Sequence, residues 1–378
     1  MNVDWFFLSH RLPFARAARN RGAEVWVAGS PTGQEDLIAQ EGFHFVPIPF
    51  RRSGKDIFGE IRTLRAISGI LADVKPDLVH NITIKPVLYT SLVARFIGKP
   101  AIVNTISGLG YVFISSGVKA RILRGALWLP YKVALSGKRV RVFFENPDDI
   151  EEFVGRGLVK RSLTARIRGS GVDVELFKNT SEPPGVPVVM LASRMLRDKG
   201  VVEFVDAARL LRKWKVNCRV VLVGGPDPGN PATVTIEELS SWVNEGILEW
   251  WGQRAEMEKV LPLAAIVVLP SYREGLPRVL QEAASVGRPI VATDVPGCRE
   301  VVHEGENGYL VPPRDHVRLA EAIRRLVEDP ELRARMGANS RRMAIKEFRI
   351  EKVVESTLSV YDELLGGKFP GLFAPVPV

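Results

Sequence analysis

The stretch Ser271 to Glu282 (SYREGLPRVLQE) gathers the groups in this chain best suited to chemistry: two carboxylates, two arginines and a proline. It follows the apolar run Ala265–Leu269 directly. Pro277 suits the first turn of a helix, where its missing N–H costs nothing. Glu274, Gly275 and Leu276 then lie in a strand-to-helix loop, and Glu282 lies on the helix about 1.5 turns beyond Pro277. The two carboxylates cannot be neighbours. They would suit two hydroxyl-bearing ends of one extended ligand, with phosphates between them at a helix start that attracts anions. Taken alone, the same residues also fit a capping glutamate and an ordinary helix glutamate.

A second cluster is Ser193-Arg194-Met195-Leu196-Arg197-Asp198-Lys199-Gly200. Arg194 and Lys199 stand five apart across a turn, so both heads can converge on one pyrophosphate. Negative charge that develops on such a group is stabilised by fixed cations and helix dipoles without a metal. No acidic pair at a strand end is placed to hold a divalent ion. The expectation is therefore no metal and no cofactor. Glu274 and Glu282 are also too far apart to act as a glycosidase acid and nucleophile.

Both clusters need strand ends to position them. Apolar runs at Glu24–Ala28, His44–Ile48, Leu78–His80 and Ala101–Asn104 alternate with helical stretches such as Leu12–Arg21 and Glu60–Val74. A second series follows at Pro187–Leu191, Arg219–Val223, Ile247–Trp251, Ala265–Leu269 and Pro289–Thr293, with Val201–Trp214 and His316–Val327 among its helices. Alternation of this kind predicts parallel sheets covered by helices. The fold class is α/β, with two Rossmann-like doubly wound domains and a cleft between them. We assign residues 1–168 to the first domain and 187–350 to the second. The Gly- and Pro-rich segment 169–186 reads as the hinge. Residues 351–378 read as a last helix, Glu351–Leu365, packed back on the first domain, and a tail. Trp250 and Trp251 read as core rather than as base-stacking residues.

The first strand presents a difficulty. The loop-like Ser9-His10-Arg11 arrives almost at once, and Asn2–Leu8 resembles a loop more than a strand. The expectation is that Met1 is an internal or misassigned start and that strand residues are missing. The alternative is a short strand at Val3–Phe7.

Composition narrows the class further. With 46% hydrophobic and 25% charged residues among 378, the chain is globular rather than disordered. Two cysteines, Cys218 and Cys298, give neither a disulfide framework nor a zinc site, and suggest a reducing compartment. No run is long enough to span a bilayer, and the N-terminus does not read as a signal peptide. Residues 1–168 carry 25 Lys and Arg against 14 Asp and Glu, a net of +11, whereas the remainder is at −2. A basic half suggests an anionic partner such as a membrane surface. Its basic residues are scattered without interleaved aromatics, which argues against nucleic acid.

The EGLPRVLQEA stretch resembles the E-x7-E motif of family 4 retaining glycosyltransferases of the GT-B fold. The likeness continues through Gly287–Asp294, Gly297–Glu300 and Gly305–Pro312. It implies that Glu274 contacts the donor sugar and Glu282 the nucleotide ribose. It also implies that Arg194 and Lys199 hold the donor diphosphate, beside Gly275, Leu276 and Pro277. Gly224 matches the family's glycine turn, and Gly252-Gln253-Arg254 its loop beside the nucleobase. In the first half, Phe6–Pro13, His80–Pro86 and Asn104–Phe113 resemble bacterial enzymes that extend polyprenyl-diphosphate-linked sugars for surface polysaccharides. Many relatives have Gly-Gly where this chain has Ser9-His10-Arg11, and a histidine where it has Ser107. His10 and His80 are the substitute candidates for a sugar contact, with Lys85, Ser107, Gly108 and Gly110 in the same loops. The implied reaction moves a hexose or N-acetylhexosamine from a nucleoside-diphosphate sugar, with UDP the expected nucleotide, to a lipid-linked glycan acceptor. The implied place is the cytoplasmic face of the plasma membrane. The rivals are a sugar-nucleotide epimerase or hydrolase of the same fold, and a basic nucleic-acid-binding protein.

Overall fold

A computed structural model describes residues 1–50, 57–108, 118–367 and 369. The chain divides into two compact units: Met1–Ser170 with Val353–Val378, and Gly171–Lys352.

In the second unit six parallel strands form one sheet. They are β7 (Val188–Ala192), β8 (Arg219–Val223), β9 (Glu249–Trp250), β10 (Ile266–Leu269), β11 (Ile290–Thr293) and β12 (Gly308–Val311), in the order β12-β11-β10-β7-β8-β9. Successive side chains on a strand face opposite ways, and this sheet is buried on both sides. Val189, Leu191, Val220, Leu222, Ile266 and Val268 pack with helices Val201–Lys213 and His316–Glu328. Val188, Met190, Val221, Val267 and Leu269 pack instead with helix Arg278–Ser285. That is why these strands read as continuous apolar runs rather than alternating ones. The strand order is that of a doubly wound nucleotide-binding sheet, with the sequence of connections reversing between β7 and β10.

The first unit holds two parallel sheets. One pairs β1 (Trp26–Gly29) with β2 (His44–Pro47); the other orders β3 (Leu78–Ile82), β4 (Ala101–Ile106), β5 (Val140–Phe144) and β6 (Thr164–Arg166) consecutively. All six residues of β4 are buried, as in a strand paired on both edges. The short strand considered at Val3–Phe7 is not there. Asp4–His10 is an α-helix, and only Val3 makes a single bridge, to Ser30. The reason is Asp4, which is buried in the first turn and accepts from Trp5 N, Thr32 N and Gln34 N at 2.7, 2.6 and 3.1 Å. Burial opposes ionisation of this carboxyl, but the bonds from Thr32, Gln34 and Trp5 prevail and hold it below its usual range.

The expected hinge holds the boundary between the units, at its start. From Gly171 onward it is part of the second unit, and Val172, Val174 and Phe177 lie in that unit's core. Glycines and prolines suggested a linker, but buried and half-buried arginines fix the segment from Val174 to Glu182. Arg288, 3% exposed, donates to Ala264 O, Thr180 O, Pro262 O, Ser181 O and Val286 O at 2.6–3.1 Å. Arg333 makes a bidentate pair with Glu182 at 2.7 and 3.0 Å. Arg341 donates to Val174 O and Phe177 O, both at 3.1 Å. The last helix spans Ile350–Leu365 and belongs to the first unit from Val353.

Arg288→Met should remove a donor from five carbonyls, at a cost of about 3 kcal/mol. The thermal midpoint of the second unit should fall by roughly 6–12 °C, read by differential scanning calorimetry. An unchanged transition would show that the cage contributes nothing.

Candidate functional site: the strand ends of the second unit

Ligands in open parallel sheets bind beyond the carboxyl ends of the strands, where the order reverses. In this unit that point lies between β7 and β10, which pair directly. The chain leaving β7 carries Arg194 and the short turn Arg197–Lys199; the chain leaving β10 carries Tyr272 and Glu274. Lys199 Nζ meets Glu274 Oε1 at 2.5 Å, with the lysine 23% and the glutamate 10% exposed. Two loops 75 residues apart in sequence are thus joined by a charge pair shielded from solvent on most sides.

The backbone makes that meeting possible. Gly200 adopts φ +71°, and a Cβ there would stand 2.1 Å from Pro270 O, so only glycine lets the loops approach. Tyr272 N donates to Asp198 O at 2.9 Å, zipping the loops together. The Tyr272 hydroxyl donates to Glu203 Oε1 at 2.6 Å, and the Arg314 guanidinium lies 4.5 Å from its ring centre. Burial, then the Glu203 carboxylate, pushes the Tyr272 phenol up to about 12. Gly297 packs on the Glu274 loop; a Cβ at that position would lie 2.4 Å from Gly275 O.

Arg194 is held differently from Lys199. Its guanidinium, largely exposed, pairs with Asp227 Oδ2 at 2.7 Å. The two cations that sequence places on one pyrophosphate therefore rest on different carboxylates. Gly224, at φ +133°, donates to Gly252 O at 2.8 Å and accepts from Trp250 Nε1 at 2.8 Å. The glycine turn and the 252–254 loop are thereby tied together, and Trp250 and Trp251 pack against the cores. Arg254 is exposed.

The helix after the β10 loop starts at Arg278, with Pro277 as its extended N-cap rather than in its first turn as read from sequence. Leu276 is buried in the core beneath the loop. Glu282, 6% exposed, accepts from Arg278 Nε at 2.7 Å. Burial holds its carboxyl above the usual range, although Arg278 pulls the other way. The residues sequence reasoning missed here are Asp227, Tyr272, Glu203, Arg314, Arg278 and Gly297. Asp227 follows Gly224-Gly225-Pro226 closely enough to be found; the others become legible only once the loops are folded. Among the described residues, no three His, Cys, Asp or Glu side chains are grouped as metal ligands.

In the first unit, His80 is not a loop residue. It lies on β3, with Nδ1 at 2.5 Å from Tyr361 Oη and Nε2 at 2.6 Å from Thr105 Oγ1. Burial, then Arg11 and the N-terminal ammonium, hold its pKa well below the usual value, so the ring is neutral. Both nitrogens are engaged within the protein. His10 ends the first helix, stacked on Phe6 with ring centres 4.2 Å apart and Nδ1 2.6 Å from Ser9 Oγ. Lys85 pairs with Glu60 at 2.7 Å. Ser107 is exposed and Gly108 has φ +82°. Gly110 lies outside the described residues.

Two family profiles match: "Glycosyl transferase 4-like" over residues 1–137 and "Glycosyl transferases group 1" over 173–343. The chain belongs to these glycosyltransferases. It is an enzyme of the GT-B fold, with two Rossmann-like domains, that transfers a glycosyl group. One relative is the N,N'-diacetylbacillosaminyl-diphospho-undecaprenol alpha-1,3-N-acetylgalactosaminyltransferase of Campylobacter jejuni, 27% identical over 95% of this chain and 98% of its own. Another is the Escherichia coli UDP-Gal:alpha-D-GlcNAc-diphosphoundecaprenol alpha-1,3-galactosyltransferase, 23% identical over 86% and 84%. In fold the glycosyltransferase resembles Anabaena HepE in complex with UDP (TM-score 0.75, 19% identity, 96% and 100% covered). It also resembles the sucrose-phosphate synthase of Thermosynechococcus elongatus (TM-score 0.78, 22% identity, 94% and 92% covered).

Removing either half of the Lys199–Glu274 pair should cost the glycosyltransferase dearly. Lys199→Ala and Glu274→Ala should each lower turnover by roughly 10²-fold or more in steady-state kinetics; full activity in Glu274→Ala would remove the assignment. Glu282 should separate stability from function. A raised folded pKa contributes stability that is fully present below the unfolded value of about 4.5 and is lost as pH rises through the folded value. Glu282→Gln should therefore melt above the wild type at neutral pH, with the gap closing in acid, while weakening donor binding. A variant less stable at neutral pH would contradict this.

Proposed function

We propose that this glycosyltransferase moves a hexose or N-acetylhexosamine from a UDP-sugar to a polyprenyl-diphosphate-linked glycan, with retention and without a metal. The observation that carries the reading is the Lys199–Glu274 pair at the switch point of the sheet, beside Arg194. The relatives named above support the acceptor class. In this reading the bond between the anomeric carbon and the β-phosphate oxygen breaks, and UDP departs with both electrons. Arg194, Lys199 and the start of helix Arg278–Ser285 offset the charge that develops. Glu274 accepts hydroxyl donors of the sugar and Glu282 those of the ribose. The acceptor hydroxyl attacks on the face that UDP leaves, and its proton passes to a departing phosphate oxygen.

We also place the enzyme on the cytoplasmic face of the membrane, held there through its basic first domain. Among the described residues no helix is long and apolar enough to cross a bilayer. Of the two basic turns the sequence offers, Arg51, Arg52 and Lys55 lie outside the described residues. Lys119, Arg121 and Arg124 fall in the first turns of helix Val118–Ala134.

Thermal-shift screening should single out one UDP-sugar, stabilising by roughly 2.7 kcal/mol at 100 times its dissociation constant. With that donor, a polyprenyl-diphosphate-linked monosaccharide should be glycosylated equally with and without excess EDTA. Loss in EDTA with rescue by magnesium would refute the metal-free mechanism. Donor consumption at full rate without acceptor would favour an epimerase or hydrolase.

A further inference from the structure

Helix Arg278–Ser285 carries its charges in the wrong order for its own stability. Arg278 stands in the first turn and Glu282 one turn on, paired at 2.7 Å. A helix favours anions at its start and cations at its end, and an i, i+4 pair is better with the carboxylate first. Here both charges oppose the dipole. The carboxylate is also buried, 6% exposed, on a helix whose Leu280, Ala283 and Ala284 belong to the core. Folding alone would favour neither the order nor the loss of hydration.

The charge on Glu282 depends on its partner. Among the described residues Arg278 is the one side chain that bonds it, through Oε1, and Oε2 accepts from none. Glu258, on the short helix Met257–Val260 that follows the 252–254 loop, acts in the opposite sense. Strands β10 and β11, packed against the helix, carry no charged residue. On the neighbouring helix Pro330–Met343, Arg333 is committed to Glu182 and Arg341 to the carbonyls of Val174, Phe177 and Ser285. In the next segment, Ala344–Phe348, Lys346 is exposed and Glu347 half-buried. A carboxyl this deep without its cation takes up a proton. One of its oxygens then becomes a donor, whereas a carboxylate only accepts.

We infer that Arg278 is a positioning residue, which keeps Glu282 an acceptor-only carboxylate for the 2′- and 3′-hydroxyls of the donor's ribose. The inference rests on the role proposed above for Glu282 and deepens it. A vicinal diol presents two O–H donors, and a carboxylate can accept both; on a protonated carboxyl one donor would face another. Arg278 engages one oxygen from the side of its own helix and leaves the second for the ligand. Its guanidinium stays charged at any working pH, so it holds the carboxylate without titrating itself.

The test is calorimetric titration of the full chain with UDP and with 2′-deoxy-UDP, from mildly acid to mildly alkaline pH. Both nucleotides carry the same phosphates, so the ratio of their affinities cancels phosphate titration. The wild type should prefer UDP by about tenfold or more at neutral pH. The preference needs the ionised form of Glu282, so it is lost as pH falls through the carboxyl's folded pKa. In Arg278→Gln that loss should move to higher pH by about one unit or more. Arg278→Lys, which keeps a positive charge, should restore most of the wild-type profile. Glu282→Gln should show a low ratio that is flat with pH. The Arg278 side chain is 35% exposed, so its variants should fold. If Arg278→Gln keeps the wild-type ratio at every pH, or loses affinity equally for both nucleotides, the inference fails and the role of Glu282 stands. If the wild type does not distinguish the two nucleotides at neutral pH, the role of Glu282 fails first.

Discussion

A lysine ammonium and a glutamate carboxylate brought within hydrogen-bond distance at the turning point of a parallel sheet constrain most of what surrounds them. Lys199 and Glu274 come from loops that leave adjacent strands, and each loop needs the other in place. The backbones must touch, which is why Gly200 has no room for a side chain. Tyr272 must be turned away and tethered to Glu203, so that the next residues can point back toward the β7 turn. Half-buried charges of opposite sign offset each other's loss of hydration. A substrate arriving between them would meet groups already oriented, so little reorganisation is left for the reaction itself.

The same unit keeps several other charges out of water, and each solves the problem in its own way. Among the described residues Arg288 has no carboxylate within hydrogen-bond reach; it is satisfied by backbone carbonyls and the Thr180 hydroxyl. Burial lowers its pKa even so, opposed by the more distant Glu182. Glu282 is the less comfortable case, a carboxyl buried beside one arginine. A group tolerated at some cost in stability, at the edge of the candidate site, is the pattern expected where binding rather than folding chose the residue.

Much of this is legible in the sequence itself. The run Arg219–Val223 is strand β8 residue for residue, and Ala265–Leu269 overshoots β10 by one. Long apolar runs buried on both faces leave little ambiguity. By contrast β5, preceded by Arg139 and carrying Arg141 between its valines, hides its buried face behind charges, and β6 is only three residues long. Composition misled at two places. Asn2–Leu8 reads as a loop until Asp4 is seen to gather the 32–34 turn, and Gly169–Val186 reads as a linker until the arginines are counted. In both, long-range hydrogen bonds override local propensity, and no local window contains their partners. At the site, residue types were legible but pairings were not. Sequence set Lys199 beside Arg194, whereas folding sets it beside Glu274.

The arginine cage bears on how the two halves of this enzyme can be exchanged between relatives. A junction chosen by composition would fall at Pro183-Pro184-Gly185, where the chain is exposed or nearly so. Cutting there would separate Arg288, Arg333 and Arg341 from the carbonyls and carboxylate of residues 174–182 that accept their protons. A chimera would then inherit the cations of one parent and the acceptors of another. The module that can be shuffled intact begins at Gly171, before the first caged carbonyl, and recombination, natural or engineered, should be tolerated at that seam and punished a dozen residues later.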